Sequence, residues 1–245
     1  MRPHHPAAPA TALGALLRGD VLNVARDPLL FLCLALPLAT GLILRWAFPW
    51  LADRFDLWGH AGFAVGFTLV QCPLLVGVVA GFMLLDERDE GVLAAISVTP
   101  LGRTRFLAYR VTLPAIACVP LILLSVEIAD LGSPPRLLLV AAALLAAAEA
   151  PMVTLLLAAF AHNKVEGLAL AKAAGLAVIA PLAALVAPTP WQWAAGVVPQ
   201  YWPAKLFTRS DVTAAGGLGY AAAGTIVHAL WIAVLLRAFR RTVEN

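Results

Sequence analysis

The chain has 245 residues, 62% of them hydrophobic and only 13% charged, with a formal net charge of +3; its mean hydropathy is +0.88 and its pI about 9.0. Soluble domains carry about 25% charged residues, and one soluble core of this length cannot hide so much apolar surface, so composition excludes a soluble globular protein and points to a polytopic membrane protein. A basic pI is also a nucleic-acid signature, but the basic residues here are scattered and membrane topology accounts for them, so no nucleic-acid partner is expected.

In chain order, the opening "MRPHHPAAPATALGALLRGD" has no basic region leading a continuous apolar run, so neither a signal peptide nor cleavage is expected. Residues 11–27 put Leu13, Leu16, Leu17, Val21, Leu22 and Val24 at mostly helical spacing, with Arg18, Asp20, Asn23 and Arg26 mainly between them. That pattern predicts an amphipathic helix along the inner membrane surface, with Thr11 as a candidate cap. Pro28 then suits the first turn of a spanning helix.

A span needs about 20 mostly apolar residues. Six runs qualify, at residues 29–49, 60–85, 106–128, 136–160, 168–187 and 215–239. The stretch 188–214 is apolar but broken by Pro199 and Pro203, and reads as an extracellular re-entrant or interfacial segment. Trp191, Trp193, Tyr201 and Trp202 fit an aromatic belt at headgroup level. Full crossing by that stretch would give seven spans and a C-terminus on the other side. Pro37, Pro73, Pro114, Pro120, Pro151 and Pro181 lie inside spans, either as ordinary packing features or as hinges. No internal repeat is visible.

Lys and Arg orient the chain. With the N-terminus inside, the inner side collects Arg2, Arg18, Arg26, Arg88, Arg103, Arg105, Arg110, Lys164, Lys172, Arg237, Arg240 and Arg241, against Arg45, Arg54, Arg136, Lys205 and Arg209 outside. Both termini are therefore expected in the cytoplasm. The fold class is all-α: one transmembrane domain over residues 1–245.

Cys33, Cys72 and Cys118 lie in apolar runs without a CxxC, which argues for packing roles and against disulfides or a metal site. Glu149 sits in the middle of the fourth span, in "AAAEAPMV", where a charge is expensive and a functional role is the default hypothesis. Gln71 in the second span and His228 in the last are its candidate companions, lining a substrate path or stabilising a dimer contact, and Glu127 lies near the outer end of the third span. The competing reading for Glu149 is a protonated or hydrogen-bonded structural glutamate. Lys164 and Glu166 in "NKVEG" are placed to form a local ion pair.

Residues 86–104 form the first cytoplasmic loop in this topology. Asp86, Glu87, Arg88, Asp89 and Glu90 open it, followed by Gly91, "VLAAI" and "SVTPLGRTR". Carboxylates at a helix start suit its dipole, so these residues are expected to lead into a short helix over Gly91–Ile96 that Pro100 and Gly102 end, with Arg103 and Arg105 at the membrane edge. The positive-inside rule does not account for four carboxylates. They fit a partner with complementary basic charge; a solvated topology-marking loop is the plainer alternative.

The run "ERDEGVL…TPL…R…R" after a second span resembles the first cytoplasmic loop of type-2 ATP-binding cassette (ABC) export permeases. "HNKVEGLALAKAAG" is similar to that family's second cytoplasmic loop and "VVPQYWPAKLF" to its re-entrant segment, so the resemblance covers nearly the whole chain. Among subgroups it resembles actinobacterial-type drug permeases of the fluoroquinolone-export kind. The resemblance implies a multi-pass subunit of the bacterial plasma membrane that pairs with an identical or sister permease and with two ABC ATPase subunits, and that exports a drug, lipid or other hydrophobic compound. Asp86, Glu87, Arg88, Asp89, Glu90, Gly91, Pro100, Arg103, Lys164 and Glu166 would then dock the ATPase. No G-x-x-x-x-G-K-[ST] occurs. The chain is therefore expected to bind no cofactor, to be no enzyme itself, and to leave ATP and Mg2+ to the partner. An intramembrane protease is disfavoured because no G-x-S-G and no intramembrane glutamate pair is present. A proton-coupled carrier using Glu149 and His228 is the remaining alternative.

Overall fold

A computed structural model describes residues 9–99, 101–186, 189–208 and 214–244. Pro100, one of the expected docking residues, lies outside the described residues. The chain is all-α, with no strand among the described residues, and six of its helical segments are long and apolar enough to cross a membrane.

The first helix, α1 (Pro9–Arg26), begins two residues before Thr11, so Thr11 does not cap it. Asp27 separates it from α2 (Pro28–Phe55): its Oδ1 accepts from the backbone N–H of Leu29 and Leu30 at 2.9 and 3.2 Å, and Pro28 fills the first turn. Asp56, at φ 55°, ends α2. The second span is a short 3-10 turn (Trp58–His60) followed by α3 (Ala61–Asp89). A six-residue helix, α4 (Val92–Ser97), leads to the third span, α5 (Gly102–Ala129).

Two later spans are interrupted, and proline explains both. The fourth is α6 (Arg136–Ala147) and α7 (Glu149–Phe160), broken at Ala148. The fifth is α8 (Lys164–Gly175), a 3-10 turn over Leu176–Val178, and α9 (Ile179–Val186). Pro151 and Pro181 cannot donate to the carbonyls four residues back, Ala147 and Ala177, which is where the two irregularities fall. Within α2, α3 and α5 the prolines leave the helices continuous.

Between the fifth and last spans lie α10 (Thr189–Ala195) and α11 (Tyr201–Thr208), each too short to cross a bilayer. The expected aromatic belt there divides in two. Trp191 and Trp193 are exposed, but Tyr201 and Trp202 are core residues, and the Trp202 indole donates to the Gly196 carbonyl at 2.8 Å. The last span is α12 (Ala214–Glu244).

The second and fourth spans are mostly buried within the protein and the other four mostly face outward. Their contact is close because of the "GVVAG" run at residues 77–81. A Cβ on Gly77 would lie 2.5 Å from the Ala150 carbonyl oxygen, and one on Gly81 would lie 2.9 Å from Leu157. Small residues let membrane helices approach in this way. Thr154 seals the contact by donating between the carbonyls of Ala150 (3.0 Å) and Gly77 (3.2 Å). Cys72 and Cys118 are free thiols with sulfurs 3.5 Å apart between α3 and α5, and Cys33 is free and buried elsewhere.

Candidate functional site

Two polar regions stand out, one at the end of the bundle that carries α4 and one at mid-span.

At the α4 end, "DERDE" is the last turn and end of α3, not the start of the next helix. Carboxylates at a C-terminus oppose the helix dipole, so the sequence argument that they open α4 is corrected. Other contacts hold them. Arg88 turns back across the bundle and donates from Nη2 to the Ala161 and His162 carbonyls at 2.9 and 3.1 Å. Asp86 meets Lys164 at 2.9 Å. Lys164 therefore pairs with Asp86 and not with Glu166. Asn163 caps α8 by accepting from the Glu166 N–H at 3.0 Å, while the Glu166 carboxylate accepts from the His162 N–H at 2.9 Å. This is a capping box in outline, and "N-x-x-E" is its sequence signal. The end of α3 and the α7–α8 turn thus form one ledge. Gly91, at φ 71°, turns the chain from the ledge into α4, a conformation glycine adopts without strain. On the outer side of the ledge, Asp89, Glu90 and Val98 are exposed, as is Arg103 in the first turn of α5.

Glu87 is a different case. Helical periodicity sets it on the stripe of Val76, Ala80 and Met83, and it faces inward. Both its oxygens take the Arg110 guanidinium, one from Nε at 2.8 Å and one from Nη2. Arg110 Nη1 donates to Asp20 Oδ2 at 2.7 Å, and Tyr109 donates to the same oxygen at 2.6 Å. Asp20 and Arg110 are buried. The sequence pattern sets Asp20 on the polar face of α1 and Glu87 in the docking patch. In the structure both join α1, α3 and α5 from within. The signal that could have found them is the apolar stripe each belongs to: Leu17 and Val24 around Asp20, Phe106 and Leu113 around Arg110.

At mid-span, Glu149 opens α7 immediately after the break at Ala148. It is 1% exposed, and His228 of α12 is 3% exposed. His228 Nε2 and Glu149 Oε1 are 3.7 Å apart, beyond hydrogen-bond range. His228 Nδ1 sits 2.7 Å from the Gly224 carbonyl, where it must donate, which leaves Nε2 without a hydrogen whenever the ring is neutral. Glu149 and His228 are thus neighbours within the core without a direct hydrogen bond between them. Neither carboxylate oxygen of Glu149 nor His228 Nε2 has a hydrogen-bond partner, nor does Gln71 Oε1. The structure brings Glu149 and His228 together; Gln71, on α3, is not among their partners. His228 lines a groove of about 390 Å³ between α6 and α12, together with Ala148 and Thr225. No group of three or more metal-ligating side chains occurs among the described residues.

Residues 20–236 match the family described as "Fluoroquinolones export permease protein Rv2686c-like". Two relatives carry that kind of name: fluoroquinolones export permease protein Rv2686c of Mycobacterium tuberculosis (strain ATCC 25618 / H37Rv) and fluoroquinolones export permease protein MT2760 of Mycobacterium tuberculosis (strain CDC 1551 / Oshkosh). Each is 30% identical to this chain over 250 residues, covering 98% of both chains. No solved structure matches. The chain belongs to this export permease family.

Proposed function

We propose that this export permease is the membrane subunit of an ABC exporter. In this reading it moves a drug, lipid or other hydrophobic compound out of the cell with ATP hydrolysed by two separate ATPase subunits. It works as a pair with an identical or sister permease in the bacterial plasma membrane, and the α4 end and both termini face the cytoplasm.

The observation that carries the reading is the ledge. Asp86 and Arg88 bind the α7–α8 turn, while Asp89, 3.9 Å from Arg88, and Glu90 are exposed just before α4. A loop that only marked topology would need no such bracing. A braced ledge bearing a short helix can transmit a push from a soluble partner to α3 and α7, the two most buried segments. The docking carboxylates in this reading are Asp89 and Glu90, with Glu87 holding the ledge from inside.

Charge reversal, Asp89→Lys with Glu90→Lys, tests it. Surface changes of this kind alter stability by about ±0.5 kcal/mol or less, so the variant stays folded in the membrane, loses its co-purifying ATPase and loses export. Undiminished co-purification from the native host would remove the docking assignment.

The second reading is a proton-coupled carrier, favoured by two titratable side chains, Glu149 and His228, buried side by side at mid-span. The two readings part under an uncoupler with cellular ATP maintained: export by an ABC complex continues, whereas a carrier stops.

A further inference from the structure

Arg237, Arg240 and Arg241 lie in the last turns of α12, at the end of the bundle that carries α4. All three are exposed, and none meets a carboxylate among the described residues. Arg88, Arg110 and Lys164, at the same end, each meet one. The opposite side of α12 is fixed. Leu235 and Phe239 pack with Leu84, Leu101 and Ala158, and Thr242 Oγ1 donates to the Ala159 carbonyl at 3.2 Å. At 3.6 residues per turn the three arginines fall within about 100° of one another, facing away from that anchored side. The same arc holds Ile226 and Leu230, each 62% exposed, and Ala233. From Ile226 to Arg237 the helix rises about 16 Å at 1.5 Å per residue, which matches one leaflet, about 15 Å, of a ~30 Å hydrocarbon core.

The fold's own needs do not account for this grouping. Arg237 and Arg241 stand four residues apart, where like charges on a helix repel. The helix dipole favours a cation in the last turn, which holds Arg241, but the effect fades before Arg237. The positive-inside bias sets the side of the membrane on which arginines lie, not their gathering on one helix face above a leaflet-deep apolar stretch. Positive charge at one end and hydrocarbon-facing surface along the rest is the complement of a phospholipid whose headgroup carries a net negative charge.

We propose that this face of α12 binds an anionic phospholipid, with its phosphate among Arg237, Arg240 and Arg241 and an acyl chain along Leu230 and Ile226. Charge selects an anionic headgroup over a zwitterionic one, and the apolar stretch selects a lipid over a soluble anion. The site goes beyond the export reading and needs only that α12 crosses a bilayer. It also adjoins the ledge: Phe239 and Thr242, on the anchored side of the same turns, share a cavity of about 140 Å³ with Arg88 and Arg103. A lipid that steadies the end of α12 therefore steadies a wall of the ledge.

The test titrates the full-length permease in dodecyl maltoside with dioctanoyl phosphatidylglycerol and counts bound lipid by native mass spectrometry. Dioctanoyl phosphatidylcholine is the zwitterionic control, and glycerol 3-phosphate is the anion without chains. Each arginine near an anionic surface contributes about fivefold in affinity, so the wild type is expected to prefer phosphatidylglycerol over phosphatidylcholine by about a hundredfold. The triple variant Arg237→Gln, Arg240→Gln, Arg241→Gln is expected to bring the two lipids within about fivefold of each other. A second triple variant, Arg18→Gln, Arg26→Gln, Arg105→Gln, removes the same charge from exposed, unpaired positions on α1 and α5, and is expected to keep the preference. Equal loss in both variants would mean diffuse attraction to net charge and overturns the site, as does a wild type without preference. Binding of glycerol 3-phosphate as tight as that of phosphatidylglycerol overturns the choice of a lipid. An unchanged lipid preference in the α12 variant, together with loss of a co-purifying ATPase, would give this face to a protein partner instead. Lipid binding needs no ATPase, so the expected pattern in a permease that recruits none would count against the export reading and not against the site.

Discussion

The Asp20–Glu87–Arg110 cluster and the Glu149–His228 pair are both buried in a protein of the membrane, yet they are built on opposite terms. In the first, every guanidinium nitrogen of Arg110 has a carboxylate, Glu87 uses both oxygens, and Tyr109 adds a further donor. In the second, three polar atoms have no hydrogen-bond partner and the two side chains stand 3.7 Å apart. A buried polar group left unpaired costs about 1–3 kcal/mol, more when charged. The fold tolerates this at Glu149, whereas each nitrogen of Arg110 has a carboxylate partner. Burial alone does not tell the two apart; satisfaction does.

Removing the cation from the fastened cluster should give the largest effect. Arg110→Met leaves Asp20 and Glu87 buried without a counter-charge, which costs about 3–5 kcal/mol. It is expected to reduce the yield of monodisperse protein and to lower its thermal midpoint. The triple change Asp20→Asn, Glu87→Gln, Arg110→Met should recover most of that loss, because neutral, well-packed replacements of buried ion groups are often near neutral. A single variant that melts with the wild type would show that the cluster fastens nothing.

Glu149→Gln is expected to behave in the reverse sense. The amide keeps the shape and brings no charge into the buried mid-span site, so the thermal midpoint holds or rises. Export should fall about tenfold, equivalent to ~1.4 kcal/mol, if the pair serves the path. A lowered midpoint with undiminished export would place Glu149 with the fasteners and erase the contrast.

How much of this was legible in the sequence follows from what a pattern can encode. Six apolar runs are enough to specify an all-α membrane fold, because run length maps directly onto bilayer thickness. The interruptions were half legible: prolines are visible, but only Pro151 and Pro181 disturb their helices, and packing around α2, α3 and α5 decides that. The direction of a charge was legible only through the helical stripe it shares. Glu87 falls on the stripe of Val76, Ala80 and Met83, but Asp86 continues Val79 and Phe82 at the same spacing, so on α3 the stripe alone does not tell the inward carboxylate from the others. A rule that puts charge on the surface therefore fails at Glu87 and Asp20, which meet Arg110 inside. "GVVAG" carried the α3–α7 contact openly. The pairing of Glu149 with His228 rests on the way α12 returns past α7, which no local pattern specifies, although their rarity inside spans marked both as candidates.

The smallest effect is expected where charge is exposed, and it sharpens the contrast from the other side. Asp86 and Lys164 are 41% and 45% exposed in their side chains, so water screens the pair and two long side chains gain little by meeting. A double-mutant cycle over Asp86→Asn and Lys164→Met should therefore return a coupling of no more than about 1 kcal/mol, with many such pairs contributing nothing measurable, and the value should shrink further in 1 M salt, where the screening length is about 3 Å. Arg88→Met should destabilise the ledge by more, because its guanidinium satisfies two backbone carbonyls that no other group reaches in the described structure. A coupling near 3 kcal/mol between Asp86 and Lys164 would mean that the ledge is covered and dry in the assembled protein. The pair would then belong with Arg110 as a fastener, and the partner that covers it would have to be sought on this face.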